Sequence, residues 1–132
     1  FAKYLVPDIL FDQREVLLGN VEVVPTPGHT PGSTCFFVES DQEGTAGAAG
    51  GRRYLFTGDT LFLADDGAWR AGYIEGMSER EPLAESLLLL RQLAPDVVIS
   101  SAAPTGTGHE VMAPEDWPAK VDAALERLQA AA

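Results

Sequence analysis

The sequence predicts an α/β domain of the α+β kind, a mixed sheet with flanking helices. Three observations predict it. Short apolar runs separated by turn residues fill the first half. Helix and strand patterns alternate in the second half. The length, 132 residues with 45% apolar side chains, suffices for one domain with one core.

The elements follow in order. Glu15 to Leu18 and Val21 to Val24 flank Gly19-Asn20, a dipeptide that signals a tight hairpin because glycine accepts positive φ. Ser33 to Glu39 contains Cys35, Phe36, Phe37 and Val38, so it reads as a strand. Arg53 to Phe56 reads as another. Between them, Asp41 to Gly51 (DQEGTAGAAGG) is too poor in large apolar groups to bury anything and reads as a flexible hairpin tip. Leu83, Leu87, Leu90 and Ala94 recur at helical spacing, which predicts a helix over Pro82 to Leu93 ending before Pro95. Ser78 with Glu81 predicts a capping box at its start, with Pro82 as a competing first-turn signal. Asp96 to Ser101 (DVVISS) reads as a buried strand. A last helix begins near Pro114 or Pro118 and places Trp117, Val121, Leu125 and Leu128 on one face. No internal repeat and no interdomain linker is evident.

Composition narrows the function classes. A net charge of −11 works against nucleic acid and against an anionic membrane surface, so a small-molecule substrate or a protein partner is expected. No apolar run reaches the roughly 18 residues that a bilayer span requires. The opening stretch FAKYLVPDILFD lacks the pattern of a secretory leader. The single Cys35 forms no internal disulfide, and its apolar strand makes it a core thiol. A reducing cytoplasm is the expected setting.

Two segments carry candidate chemistry. In Val21 to Ser33 (VEVVPTPGHTPGS), a strand runs into Pro25, Pro27 and Pro31, with Gly28 and His29 between them. Prolines fix φ and glycine admits a close neighbour, so the loop should aim one imidazole in one direction. A metal ligand needs that preorganisation. A loop histidine taken alone more often serves structure. In Tyr54 to Phe62 (YLFTGDTLF), an apolar strand ends at Thr57-Gly58 and Asp59 follows. A carboxylate at a sheet mouth suits an oxygen ligand or an orienting base, while an Asx-turn is the ordinary alternative.

PTPGHTPGS followed one hairpin later by LFTGDTLF resembles the metallo-β-lactamase superfamily, and the glyoxalase II-like branch most in style. The resemblance runs from about Asp12 to the end. It implies a metal ligand at His29 and a ligand, commonly bridging two metals, at Asp59. It implies one or two zinc ions and a metal-dependent hydrolase that attacks an ester, thioester or lactone with metal-bound hydroxide. Asp59 would then also be catalytic, orienting the nucleophile. Trp69 and Tyr73, in DGAWRAGYIEG, lie where family members shape the substrate pocket. Thr30, Thr57 and Thr60 are candidate hydrogen-bond donors to the ligands.

The chain departs from the family pattern twice. The upstream His-x-His-x-Asp-His segment is absent, since the only histidines are His29 and His109. The expectation is that residues 1–132 form the C-terminal part of a single domain, half of an αβ/βα sandwich whose first half precedes Phe1. An exposed apolar sheet face should then mark where that half packs. Many members also place a histidine just past the strand DVVISS, where this chain has Ala102-Ala103-Pro104. His109, in TGTGHEV, is the substitute candidate if its loop folds inward. Without it a mononuclear centre is expected, as in the iron-dependent persulfide dioxygenase branch. The third reading is a non-catalytic domain that kept the fold. The isolated chain should bind no zinc tightly, because two ligands are fewer than the three or four a zinc site uses.

Overall fold

The computed structural model describes residues 13–17, 19–43, 51–101 and 108–130. Eight strands and two helices alternate along them: β1 (Glu15–Leu17), β2 (Val21–Pro25), β3 (Thr34–Glu43), β4 (Gly51–Gly58), β5 (Leu61–Leu63), β6 (Trp69–Ala71), α1 (Arg80–Arg91), β7 (Val97–Ser100), β8 (His109–Val111) and α2 (Asp116–Ala130). Six strands form one sheet in the order β1-β2-β3-β4-β7-β8, and β5 pairs with β6 in a separate hairpin. Every pairing is antiparallel except β4 with β7, which is parallel. The mixed sheet and flanking helices are those the sequence predicts.

The alternation of side chains explains the layers. Val24, Cys35, Leu55, Val98 and Met112 are buried in one core with the helices. From α1 come Leu83, Leu87 and Leu90, and from α2 come Trp117, Val121, Ala124, Leu125 and Leu128. The register puts Phe36, Phe56, Ile99 and His109 in one row across β3, β4, β7 and β8, on the opposite face. Phe36 and Phe56 are each 39% exposed and Val111 is 57% exposed. The sheet thus has one face covered by helices and one apolar face that is partly open.

The helices lock to each other and to the sheet through polar groups at defined places. The Trp117 indole N–H donates to Leu90 O at 2.8 Å, satisfying a carbonyl in the last turn of α1. Arg91 grips Asp122 of α2 with two bonds, at 2.8 and 3.1 Å. Asp96 is buried at the start of β7, and its carboxylate accepts the Arg53 backbone N–H at 2.8 Å.

Several local expectations need correction. Among the described residues the first hairpin ladder closes at Leu17–Val21, and the predicted strand end at Leu18 lies outside them. Gly19 does take positive φ, 81°. The capping box does not form: the residue capping α1 is Glu79, without a side-chain cap, and the Ser78 hydroxyl is used elsewhere. The segment around His109, read as a loop, contains β8, and the residues from Leu61 to Ala71, where the sequence predicts no full hairpin, contain β5 and β6. Strands of three residues are too short to show alternation. Residues 44–50 of the small-residue tip lie outside the described residues, and β3 extends to Glu43.

Candidate functional site

Because β2, β4 and β7 all run in the same direction, their carboxyl ends meet at one edge of the sheet. Ligand sites of α/β sheets favour such an edge. The loop after β2 carries His29, the turn after β4 carries Asp59, and Ser101 follows β7 directly.

The histidine loop is rigid for stated reasons. Thr26 N–H donates to Ser33 O at 2.9 Å, and Thr30 is bonded to the Ser33 hydroxyl through both its amide and its own hydroxyl. The loop is also fastened to α1 and the residues before it. Ser78 Oγ donates to His29 O at 3.0 Å, Glu79 N–H to Gly28 O at 2.8 Å, and Ser86 Oγ to Pro27 O at 2.8 Å. Gly28 has φ of 143°, and a Cβ there would lie 2.4 Å from the Leu83 backbone. The close approach expected of this glycine is therefore against the helix.

The imidazole is oriented by Gly72. His29 Nδ1 lies 2.6 Å from Gly72 O, and a carbonyl can only accept, so Nδ1 carries the proton. That leaves Nε2 as the nitrogen whose lone pair can face a metal, which is the arrangement of a metal-ligating histidine. Nε2 lies 3.7 Å from Asp59 Oδ2, too long for a good hydrogen bond. Two donors bound tetrahedrally at zinc distances lie roughly 3.4 Å apart, so the spacing suits two ligands of one ion. His29 is largely enclosed, with 15% of its side chain exposed, whereas Asp59 is 54% exposed.

Asp59 sits in a turn in which Thr60 N–H donates to Thr57 O at 3.0 Å, after Gly58 at positive φ, 55°. Its Oδ1 accepts a hydrogen bond from Ser101 Oγ at 2.7 Å. Beneath the turn, Thr26 and Thr60 share a buried hydroxyl bond of 2.9 Å, which ties the root of the histidine loop to the aspartate turn. Cys35 lies beside Thr26 and is fully buried, as expected of a core thiol. Burial pushes its pKa up to about 11 against the hydroxyl contacts that lower it, so the thiol stays protonated.

The other candidates fall elsewhere. Thr57 Oγ1 bonds Leu61 O, Thr60 bonds Thr26, and Thr30 bonds Ser33, so none of these threonines donates to a ligand side chain. Trp69 belongs to the core: it is 2% exposed and donates its indole N–H to Glu110 at 2.9 Å. Its large ring fills the interior instead of facing a pocket. Tyr73 packs against the core under the Arg80 guanidinium, 4.5 Å from its ring centre. It lines a cavity with Arg70, Ala71 and residues of α2 that includes neither His29 nor Asp59. His109 is exposed on β8, paired with Ile99, and among the described residues no third His, Cys, Asp or Glu joins His29 and Asp59. Ala102 and Ala103 lie outside the described residues. The sequence reading missed Gly72, Ser78 and Ser101. Only Ser101 carried a signal, since it ends an apolar strand as Asp59 does.

The chain is similar to known proteins in sequence and in fold. The family model of the metallo-beta-lactamase superfamily matches residues 3–102. Glyoxylase B2 of Dictyostelium discoideum is 33% identical over 75 residues, 54% of this chain and 22% of that protein. Hydroxyacylglutathione hydrolase of Hydrogenovibrio crunogenus is 35% identical over 89 residues, 67% of this chain and 26% of that protein. The chain therefore matches about a quarter of the length of these relatives. In fold it resembles an archaeal metallo-beta-lactamase superfamily protein of Sulfolobus tokodaii, at 21% identity and a TM-score of 0.58, covering 90% of this chain and 38% of that one. It also resembles a B3 metallo-beta-lactamase with an active-site glutamic acid, at 14% identity and a TM-score of 0.56, covering 93% of this chain and 47% of that one. With the histidine and aspartate motifs meeting at one sheet edge and the family model matching most of its length, this chain belongs to the metallo-β-lactamase superfamily.

Proposed function

We propose that the protein containing this chain is a metal-dependent hydrolase of ester, thioester or lactone carbonyls, with zinc as its metal and His29 and Asp59 as two ligands. The observation that supports this best is the fixed tautomer of His29, which directs Nε2 toward Asp59 Oδ2 at 3.7 Å. An imidazole nitrogen and a carboxylate oxygen are both ordinary zinc donors, and their spacing suits one ion. A bound zinc polarises a carbonyl oxygen and brings the pKa of water toward neutrality. Gly72 O holds the imidazole proton on Nδ1, away from the ligand position. Asp59 contributes a negative charge at the open sheet edge, where it can orient an attacking water. The reading requires further ligands, which we place in the half of the domain that the family resemblance puts ahead of Phe1. The substrate is a small molecule in keeping with the acidic chain. The relatives' names make a hydroxyacylglutathione thioester the first to test.

The test is metal analysis and thioester hydrolysis with the full-length protein. Zinc should co-purify with it, and His29→Ala and Asp59→Ala should each lower kcat at least about 100-fold and reduce zinc content. One iron per chain with no hydrolysis would overturn the proposal in favour of a redox enzyme on the same fold. No bound metal and no turnover would overturn it in favour of a binding domain.

A further inference from the structure

We propose that Ser101 is a positioning residue for Asp59: its hydroxyl occupies one carboxylate oxygen, so that Asp59 offers the other to metal as a one-oxygen ligand. The inference rests on the metal-site reading above and goes beyond it in assigning a residue and a binding mode. Ser101 Oγ donates to Asp59 Oδ1 at 2.7 Å, while Oδ2 is the oxygen that faces His29 Nε2. The two oxygens therefore have different partners. A bidentate carboxylate would have to present both oxygens to the ion, and the serine bond disfavours that rotation.

The backbone makes the serine a suitable holder. Ser101 N–H donates to Gly58 O at 3.2 Å, continuing the parallel β4–β7 ladder by one more bond. Ser100 is fixed on its other side, with its amide donating to Gly108 O at 2.8 Å. The hydroxyl thus comes from a tethered strand end and bridges two segments 42 residues apart. Asp59 is more than half exposed and has no other described bond to its carboxylate than this one and the long contact with His29. An exposed carboxylate otherwise samples several rotamers, and a fixed donor selects one before metal arrives. Hydrogen bonds to ligating carboxylates tune metal affinity about 10–100-fold.

The experiment compares Ser101→Ala and Ser101→Thr with wild type in the full-length protein. Zinc dissociation constants are measured by chelator competition, and cobalt(II)-substituted samples are examined by visible absorption. Ser101→Ala should weaken zinc binding about 10-fold. It should also lower the intensity of the cobalt bands, because a freed carboxylate can bind through both oxygens and raise the coordination number. Ser101→Thr keeps the hydroxyl and should restore both readouts toward wild type. Thermal melts of the metal-free proteins should coincide, because the site is exposed. If wild type binds zinc but Ser101→Ala matches it in affinity and cobalt spectrum, the role of Ser101 is overturned while the metal site stands. If wild type binds neither zinc nor cobalt, the metal reading and this inference fall together.

Discussion

Gly72 has two roles at once, and the second depends on its lack of a side chain. Its carbonyl sets the His29 tautomer, and its Cα lies so close to the aspartate turn that a Cβ would come within 1.8 Å of Asp59 O and 3.2 Å of His29 Nδ1. Gly72→Ala must therefore push apart the two segments that carry the candidate ligands. Overpacking of this kind costs about 1–3 kcal/mol. Urea unfolding should show that loss, and zinc content should fall with it. Gly32→Ala is the control, because a Cβ there meets nothing within 4 Å, and it should change stability by less than about 0.5 kcal/mol. At this scale the sequence was legible where a residue sat in a specific local pattern. His29 between prolines, Asp59 after an apolar strand and Cys35 within one were all readable. Gly72 was not, because its role depends on a segment 43 residues earlier in the chain. Trp69 misled for a related reason. The family resemblance offered it as a pocket residue, yet the fold closes the core around its ring.

The helix α1 acts as the scaffold for the histidine loop. Hydrophobic spacing announced the helix, since Leu83, Leu87 and Leu90 form its buried stripe. What it does for the loop was not readable. Ser78 and Ser86 look like an N-cap and an ordinary helical serine, but their hydroxyls reach the His29 and Pro27 carbonyls, 49 and 59 residues away in the chain. A long-range acceptor outcompetes the local cap, and nothing in the local pattern reveals it. The double variant Ser78→Ala, Ser86→Ala should release the loop without breaking the helix. Each lost bond should cost about 1 kcal/mol. The loss should appear as a lower urea midpoint with helical circular dichroism retained, and zinc affinity should weaken because His29 is no longer preordered. Unchanged midpoint and affinity would show that the prolines alone hold the loop. The short strands β5, β6 and β8 were illegible for a different reason: three residues supply no period, and only the pairing of β5 with β6 and of β8 with β7 defines them.

At the scale of the whole molecule, the sheet divides the protein into a side covered by helices and a side that is partly open. The helices bury Val24, Cys35, Leu55 and Val98. The opposite row contains Phe36 and Phe56, each 39% exposed, with exposed Val111 on the edge strand β8 beyond β7. Alternation within β3 and β4 produces the two apolar faces, because Cys35 and Phe36, like Leu55 and Phe56, are adjacent in sequence yet point to opposite sides. An apolar face of this kind is a site of association. The 132-residue chain by itself should therefore self-associate with rising concentration in sedimentation experiments. Phe36→Thr with Phe56→Thr should shift it toward monomer, since threonine keeps the strand preference while removing apolar surface. In the full-length protein the same double variant should have the opposite consequence. If a second half-domain covers this face, the two rings are core residues there, and each truncation should destabilise by about 3 kcal/mol or more. The sign of the effect thus separates a face that awaits the rest of its own domain from one that faces water throughout. Gain of monodispersity in the short chain with loss of stability in the long one is the expected pair of results. A stability unchanged by the variant in the long protein would show that the face stays open.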